Sequence, residues 1–360
     1  MLADMGAEVV RVDRVTPSAG GLPEELSAID LLNRGRRSIA VDLKSPAGVE
    51  IVLSLAEHAD AMFEPFRPGV AERLGIGPER CLIRNPKLVY GRMTGWGQEG
   101  PYARMAGHDI NYIALAGALE PIGRAGGAPV PPLNLVGDFG GGGMFLAFGI
   151  ACGLIESQRS GLGQVIDAAM VDGAAALTTI FHGLRAADTW HDVRGTNILD
   201  SGAPFYDTYE TSDGKYVAFG AIEPQFYALF LSLTGLDGDP RMADQLDAAQ
   251  WPAMKTLVAQ VVRQRTRNEW CQIMEGTDVC FAPVLSMGEA TQHPHNVDRG
   301  TFTEVAGIVQ PSPAPRFSRT PASIDRGPVA PGTDTNAVLA EWLGVNSAAV
   351  DDLRSEGVVS

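Results

Sequence analysis

Residues 38–95 read SIAVDLKSPAGVEIVLSLAEHADAMFEPFRPGVAERLGIGPERCLIRNPKLVYGRMTG. SIAVDL is a short apolar run, which suits a buried strand. SPAGVEIVLSLAEHA follows, with Ser45 placed to cap a helix and Pro46 at its first position, where a missing N–H leaves no bond unmade. DAMFEPF reads as the next strand, PGVAERLGI and PERCLIRN as helical turns, and KLVYGRMTG as a third strand. Buried strands alternating with helices are satisfied by parallel strands whose crossover helices cover both sheet faces. The expected fold is therefore α/β, with a doubly wound, Rossmann-like large domain.

Toward the start, AEVVRVD reads as a further buried strand followed by Arg14, and MLADMG as the end of a helix closed by Gly6. On the other side, residues 91–143 read GRMTGWGQEGPYARMAGHDINYIALAGALEPIGRAGGAPVPPLNLVGDFGGGG. Here two groups suited to proton chemistry, His108 and Asp138, each stand next to glycine. The spacing of Ile110, Ile113, Leu115 and Leu119 predicts a short helix with His108 at its start. The positive end of the helix dipole disfavours imidazolium there, and the free backbone N–H groups can hold an oxyanion. A histidine so placed also serves simply to cap or pack. Asp138 precedes four glycines and an apolar segment from Met144 to Ile155, so it can cap that segment's helix. A chain that keeps four glycines in a row needs its backbone close to something else. The segment has neither the lysine nor the spacing of a phosphate-binding loop.

Beyond this block, GQVIDAAMVDGAAALTTIFHGLRAADTW supplies a strand and one long helix, with Asp172 read as structural. HDVRGTNILDSGAP has the turn-rich composition of a linker. In FYDTYETSDGKYVAFGAIEPQFY two alternating runs form a hairpin, and Pro224 opens the next helix with Glu223 at the strand's exit. Amphipathic helices complete a smaller α+β domain. Residues 309–331, rich in proline and serine, read as an extended crossing segment that returns the chain to the large domain, where TDTNAVLAEWLG makes a final helix. The expected division is 1–190 for the first part of the large domain, 191–204 for the linker, 205–295 for the small domain, 296–331 for the return segment and 332–360 for the closing helix.

A chain of 360 residues has room for two cores. Its net charge of −15 argues against nucleic acid or an anionic membrane as partner. The charge is uneven: residues 1–107 hold 13 Lys and Arg against 14 Asp and Glu, whereas residues 108–360 hold 15 against 29. An anionic ligand is therefore expected on the first third. No apolar run looks long enough to cross a bilayer and no leader opens the chain, so membrane insertion is not expected. Four cysteines without CxxC spacing fit a reducing, cytoplasmic setting. His293 and His295, flanking a proline with no carboxylate cluster or cysteine pair nearby, are weak ligands on paper, and no metal is expected.

GRMTGWGQEGP, AGHDINYIAL, PVPPLNLVGDFGGGGMFLAFGI and GQVIDAAMVDG resemble the matching blocks of CoA-transferase family III, and the similarity runs along nearly all of the chain. GHD at this distance from GDFGGG is similar to the racemase branch, since the transferases share the surroundings of the aspartate and lack the histidine. The resemblance implies an interlocked homodimer in which Glu223 meets the catalytic histidine across the subunit interface. It also implies a strand, a turn and a helix start ahead of the region matching Met1, so the large sheet is expected to lack its first strand. CoA-binding roles fall on Arg14, Val41, Lys44, Pro65, Phe66, Arg67 and Arg73, and on Gly107, Ile110, Asn111 and Tyr112, with Tyr206 in the pocket. Arginines suit phosphates through paired N–H donors, and Lys44 suits them as a point charge.

The activity implied is interconversion of (2R)- and (2S)-2-methylacyl-CoA thioesters through an enolate. That reaction needs a base on one face of the α-carbon, an acid on the other, and a donor to the enolate oxygen. His108 takes the proton from one epimer and protonated Asp138 returns one to the opposite face, the roles reversing for the other epimer. Apolar, glycine-lined surroundings favour the acid form of a carboxyl group. The backbone N–H of Asp109 is the oxyanion contact, and no cofactor beyond the acyl-CoA substrate is needed. Two alternatives stay open: CoA transfer with Asp138 as nucleophile, and a CoA-ester binding protein without turnover if the short start is native.

Overall fold

The computed structural model describes residues 1–16 and 24–360. A 3₁₀ turn over Ala3–Met5 ends at left-handed Gly6 and leads into β1 (Val9–Asp13), which pairs in parallel with β2 (Arg36–Ala40). α1 (Pro46–His58) starts at Ser45 and Pro46 as its sequence predicts, although the Ser45 hydroxyl makes no capping bond. β3 (Ala61–Glu64), α2 (Val70–Arg73), α3 (Pro78–Arg84) and β4 (Val89–Thr94) continue the alternation. Next come α4 (Asp109–Leu115), a π-helical stretch Leu135–Gly143 that runs directly into α5 (Met144–Ser160), and β5 (Gln164–Ala169). β3, β4 and β5 form a parallel three-stranded sheet. The fold is α/β with parallel sheets.

Four details differ from the sequence reading. β1 is half-buried rather than buried, and among the described residues β1 pairs only with β2 and β3 only with β4, each keeping one unpaired edge. The glycine run does not interrupt the helix, so Leu135–Ser160 is one apolar helix of 26 residues, long enough by length and composition to cross a bilayer. Its Leu146, Ile150 and Gly153 face packs on the sheet so closely that a Cβ on Gly153 would lie 2.8 Å from Val89. The long helix expected after β5 is two, α6 (Met170–Leu177) and α7 (Thr179–Ala186). At the break the Thr178 and Thr179 hydroxyls bond to the carbonyls of Ala175 and Ala176, which competes with the helix ladder.

The remaining elements are β6 (Tyr206–Glu210), β7 (Tyr216–Gly220), α8 (Pro224–Thr234), α9 (Trp251–Val262), α10 (Arg267–Met274) and β8 (Phe281–Val284). β8 joins the β6–β7 hairpin as a third, antiparallel strand. Then follow α11 (Met287–Ala290), α12 (Pro294–Arg299), β9 (Phe302–Val305), β10 (Ile308–Pro311), α13 (Thr335–Leu343) and α14 (Ser347–Ser355). The return segment thus carries the β9–β10 hairpin, turning at Ala306 and Gly307, both at positive φ.

The chain divides into two compact units, residues 1–106, 139–173 and 290–360 in the first and 107–138 and 174–289 in the second. In the first, α1 and β2 share a core with Val338 and Leu339 of α13 and Val350 of α14. The second is built on Phe205, Phe219, Phe230, Met254 and Trp270. This grouping cuts the chain differently from the sequence division, because residues 107–138 go with the three-stranded sheet of the second unit. Arg124 reaches Asp207 and the Thr208 hydroxyl, and Arg194 reaches Glu120 and the Gly127 carbonyl.

Candidate active site

Residues 107–112 form a locked turn that starts α4. His108 is extended, its N–H donates to Asn111 Oδ1 at 3.0 Å, and its carbonyl accepts the Asn111 N–H at 2.8 Å. The Tyr112 hydroxyl donates to the Gly107 carbonyl. This leaves the His108, Ile110 and Asn111 side chains exposed, while Asp109, Tyr112 and Ile113 point inward. Ile110 and Leu115, expected on the apolar face, are outside it.

Asp109 is 4% exposed. Its Oδ2 accepts the N–H of Gly137 at 2.6 Å and that of Asp138 at 2.8 Å. These are early-turn donors of the helix that begins at Leu135, so one side chain joins the peptide carrying His108 to the peptide carrying Asp138. Asp138 is half-buried inside this π-helical turn rather than capping a later helix, and its Oδ2 accepts from Asn134 Nδ2 at 3.1 Å. Beneath the junction Ile113, Ala118 and Ala174 pack with Leu119 and Val136. Among the described residues the backbone N–H of Asp109 makes no hydrogen bond, which leaves it free at the start of α4. Exposed Glu223 is the residue before α8, and Tyr206 is half-buried against the second unit's core. No hydrogen bond among the described residues joins Glu223 to His108 within the chain.

In the first unit Lys44 and Arg73 line a cavity of about 430 Å³ together with Arg80, Leu43, Val49 and Leu74. None of the three cations has an ion-pair partner among the described residues. Glu50, also on the rim, is held by Arg84, whose hydrogen bond keeps that carboxyl below its usual range. Arg80 lies over Gly75, where a Cβ would come within 2.6 Å of its Nη1 and where φ is +80°. Arg14 and Arg67 are exposed and outside the cavity lining. Val41 is 1% exposed in the core and its N–H is given to the Asp13 carbonyl, so its side chain cannot touch a ligand. Exposed Pro65 and half-buried Phe66 follow Glu64, which is 2% exposed and accepts from Arg92 at 3.2 Å. Arg92 also reaches Glu72 of α2 at 2.8 Å, which ties the loop after β3 to the helix bearing Arg73. Burial pushes the Glu64 carboxyl up despite that guanidinium.

Sequence reasoning missed Arg80, Arg92, Asn134 and the carboxylate of Asp109. Asn134, four residues before Asp138, had a usable signal in its helical spacing.

A parallel α/β unit with a cationic cavity, joined in one chain to a His-Asp/Gly-Asp junction, defines a class, and the chain belongs to CoA-transferase family III, which it matches over residues 1–335. Over its whole length it is similar to two alpha-methylacyl-CoA racemases. That of Mus musculus is 48% identical and that of Homo sapiens 45%, in each case across 100% of this chain and 92% of the relative. Among solved structures, a CAIB/BAIF family protein from Brucella suis shares the fold with a TM-score of 0.80 at 24% identity, covering 95% of this chain and 93% of its own.

Proposed function

We propose that this protein is a racemase that interconverts (2R)- and (2S)-2-methylacyl-CoA thioesters by two-base proton transfer. The observation that carries the reading is the Asp109 junction, which links an exposed histidine to a half-buried aspartate with an unused N–H beside them. His108 removes the α-proton from one face and protonated Asp138 delivers one to the other, while the Asp109 N–H holds the enolate oxygen. No metal or redox group has a step in this sequence. The phosphates of CoA are assigned to Lys44, Arg73 and Arg80, which have no ion-pair partner among the described residues.

The active form is proposed as a cytoplasmic homodimer in which Glu223 of one subunit orients His108 of the other. Support comes from the outward face of α5, where Met144, Phe145 and Ile155 are exposed and Phe148 is 71% exposed. Monomers rarely leave such a face bare.

The test is α-proton exchange. A 2-methylacyl-CoA incubated in deuterated water should gain one deuterium with inversion by mass spectrometry and chiral analysis, and His108→Ala or Asp138→Ala should abolish the inversion. No incorporation, with a new CoA ester in a parallel sample given a free carboxylic acid, would assign CoA transfer instead.

A further inference from the structure

We propose that the Asp109 carboxylate is a positioning residue that fixes Asp138 relative to His108, a role beyond that of its backbone N–H. The inference rests on the racemase reading above. A helix's first N–H groups are ordinarily capped by the side chain of the residue just before the helix. Here the cap comes from 28 and 29 residues upstream, from the first turn of another helix. The side chain is buried, and the chain makes room for it: a Cβ on Gly137 would stand 2.6 Å from Asp109 Oδ2 and 2.9 Å from Cγ. The Asp138 carboxyl is held separately by Asn134, so backbone and side chain of Asp138 each have their own restraint. The second carboxylate oxygen, Oδ1, is buried and has no partner. A cap needed only for stability has no reason to retain an unpaired buried oxygen, because a residue with one acceptor would serve.

A two-base reaction separates positioning from stability. Proton removal by His108 followed by return to the same face gives exchange with retention and needs no help from Asp138. Inversion needs the acid and the base to be held on opposite faces of one carbon, and a displacement of about 1 Å can cost on the order of 100-fold. A merely structural role lowers exchange and inversion together.

The experiment compares the ratio of inversion to deuterium exchange, starting from the epimer that His108 deprotonates, in wild-type protein, Asp109→Ala, Asp109→Asn and Gly137→Ala. Asp109→Ala is expected to lower the ratio by about 10- to 100-fold with KM for the acyl-CoA unchanged. Asp109→Asn, which keeps an acceptor for both N–H groups, should recover most of it. Gly137→Ala leaves residue 109 intact but displaces its carboxylate, and should reproduce the loss, which decides the matter if Asp109→Ala fails to fold. A wild-type ratio in the folded variants overturns the inference. Absence of exchange in the wild-type protein would instead overturn the racemase reading.

Discussion

Arg80, unlike several arginines of the first unit, has no ion-pair partner among the described residues. Arg11, Arg34, Arg37, Arg84 and Arg92 are each ion-paired there, whereas Arg80 faces a cavity with Lys44 and Arg73. Arg80→Ala should therefore raise KM for acyl-CoA by about tenfold, the worth of one charge-assisted hydrogen bond, while kcat stays unchanged. The wild-type KM should also climb with added salt more steeply than the variant's, since screening acts on the charge removed. Steady-state kinetics at two ionic strengths checks this, and an unaltered KM would remove Arg80 from the phosphate contacts. His108 and Asp138 were legible because a short motif of glycine, histidine and aspartate carries them. Arg80 was not, because a cation's availability depends on which carboxylates the fold brings within 4 Å. Asp109 shows the same limit: its N–H could be placed from the start of α4, but its carboxylate is spoken for by a peptide 28 residues away.

At the scale of elements, the glycines of GDFGGGG do not break the helix, and the backbone of Gly141 is approached closely by Gly173. A Cβ on Gly173 of α6 would lie 1.8 Å from the Gly141 carbonyl oxygen, inside any van der Waals limit. Gly173→Ala is therefore expected to destabilise the protein by about 1–3 kcal/mol or more, as overpacking does. Gly183→Ala in α7, where a Cβ meets nothing within 4 Å, should be neutral or gain up to about 1 kcal/mol from helix propensity. Chemical denaturation of the two variants against wild type reads the difference, and equal midpoints would mean that the approach is relaxed in solution. Period and punctuation made residues 38–95 readable, since each strand and helix there has its own pattern and Pro46 marks a start. They failed where two signals conflict. The glycine run reads as a break until the close approach is known, and Pro283 hides β8, which tolerates it as an outer strand with β7 on one side only.

For the whole molecule, a single chain leaves His108 exposed and, among the described residues, gives it no bond from Glu223. If Glu223 acts on its own subunit's histidine, two chains each lacking one of these groups stay inactive when mixed. If it acts across a two-fold dimer, the outcome is different, because the two defects can be segregated into one site. His108→Ala subunits mixed with Glu223→Ala subunits, unfolded and refolded together, form mixed dimers holding one site with both groups intact and one with neither. Random pairing makes half the dimers mixed, so about a quarter of wild-type inversion activity should return, while each variant alone stays near its own low rate. Phe148→Asp supplies the complementary measurement. A charge on the outward face of α5 should shift the protein to monomer by light scattering, and complementation should vanish with it, since an apolar face loses its partner when one side becomes charged. Activity in monomeric Phe148→Asp equal to wild type would show that each chain completes its own site.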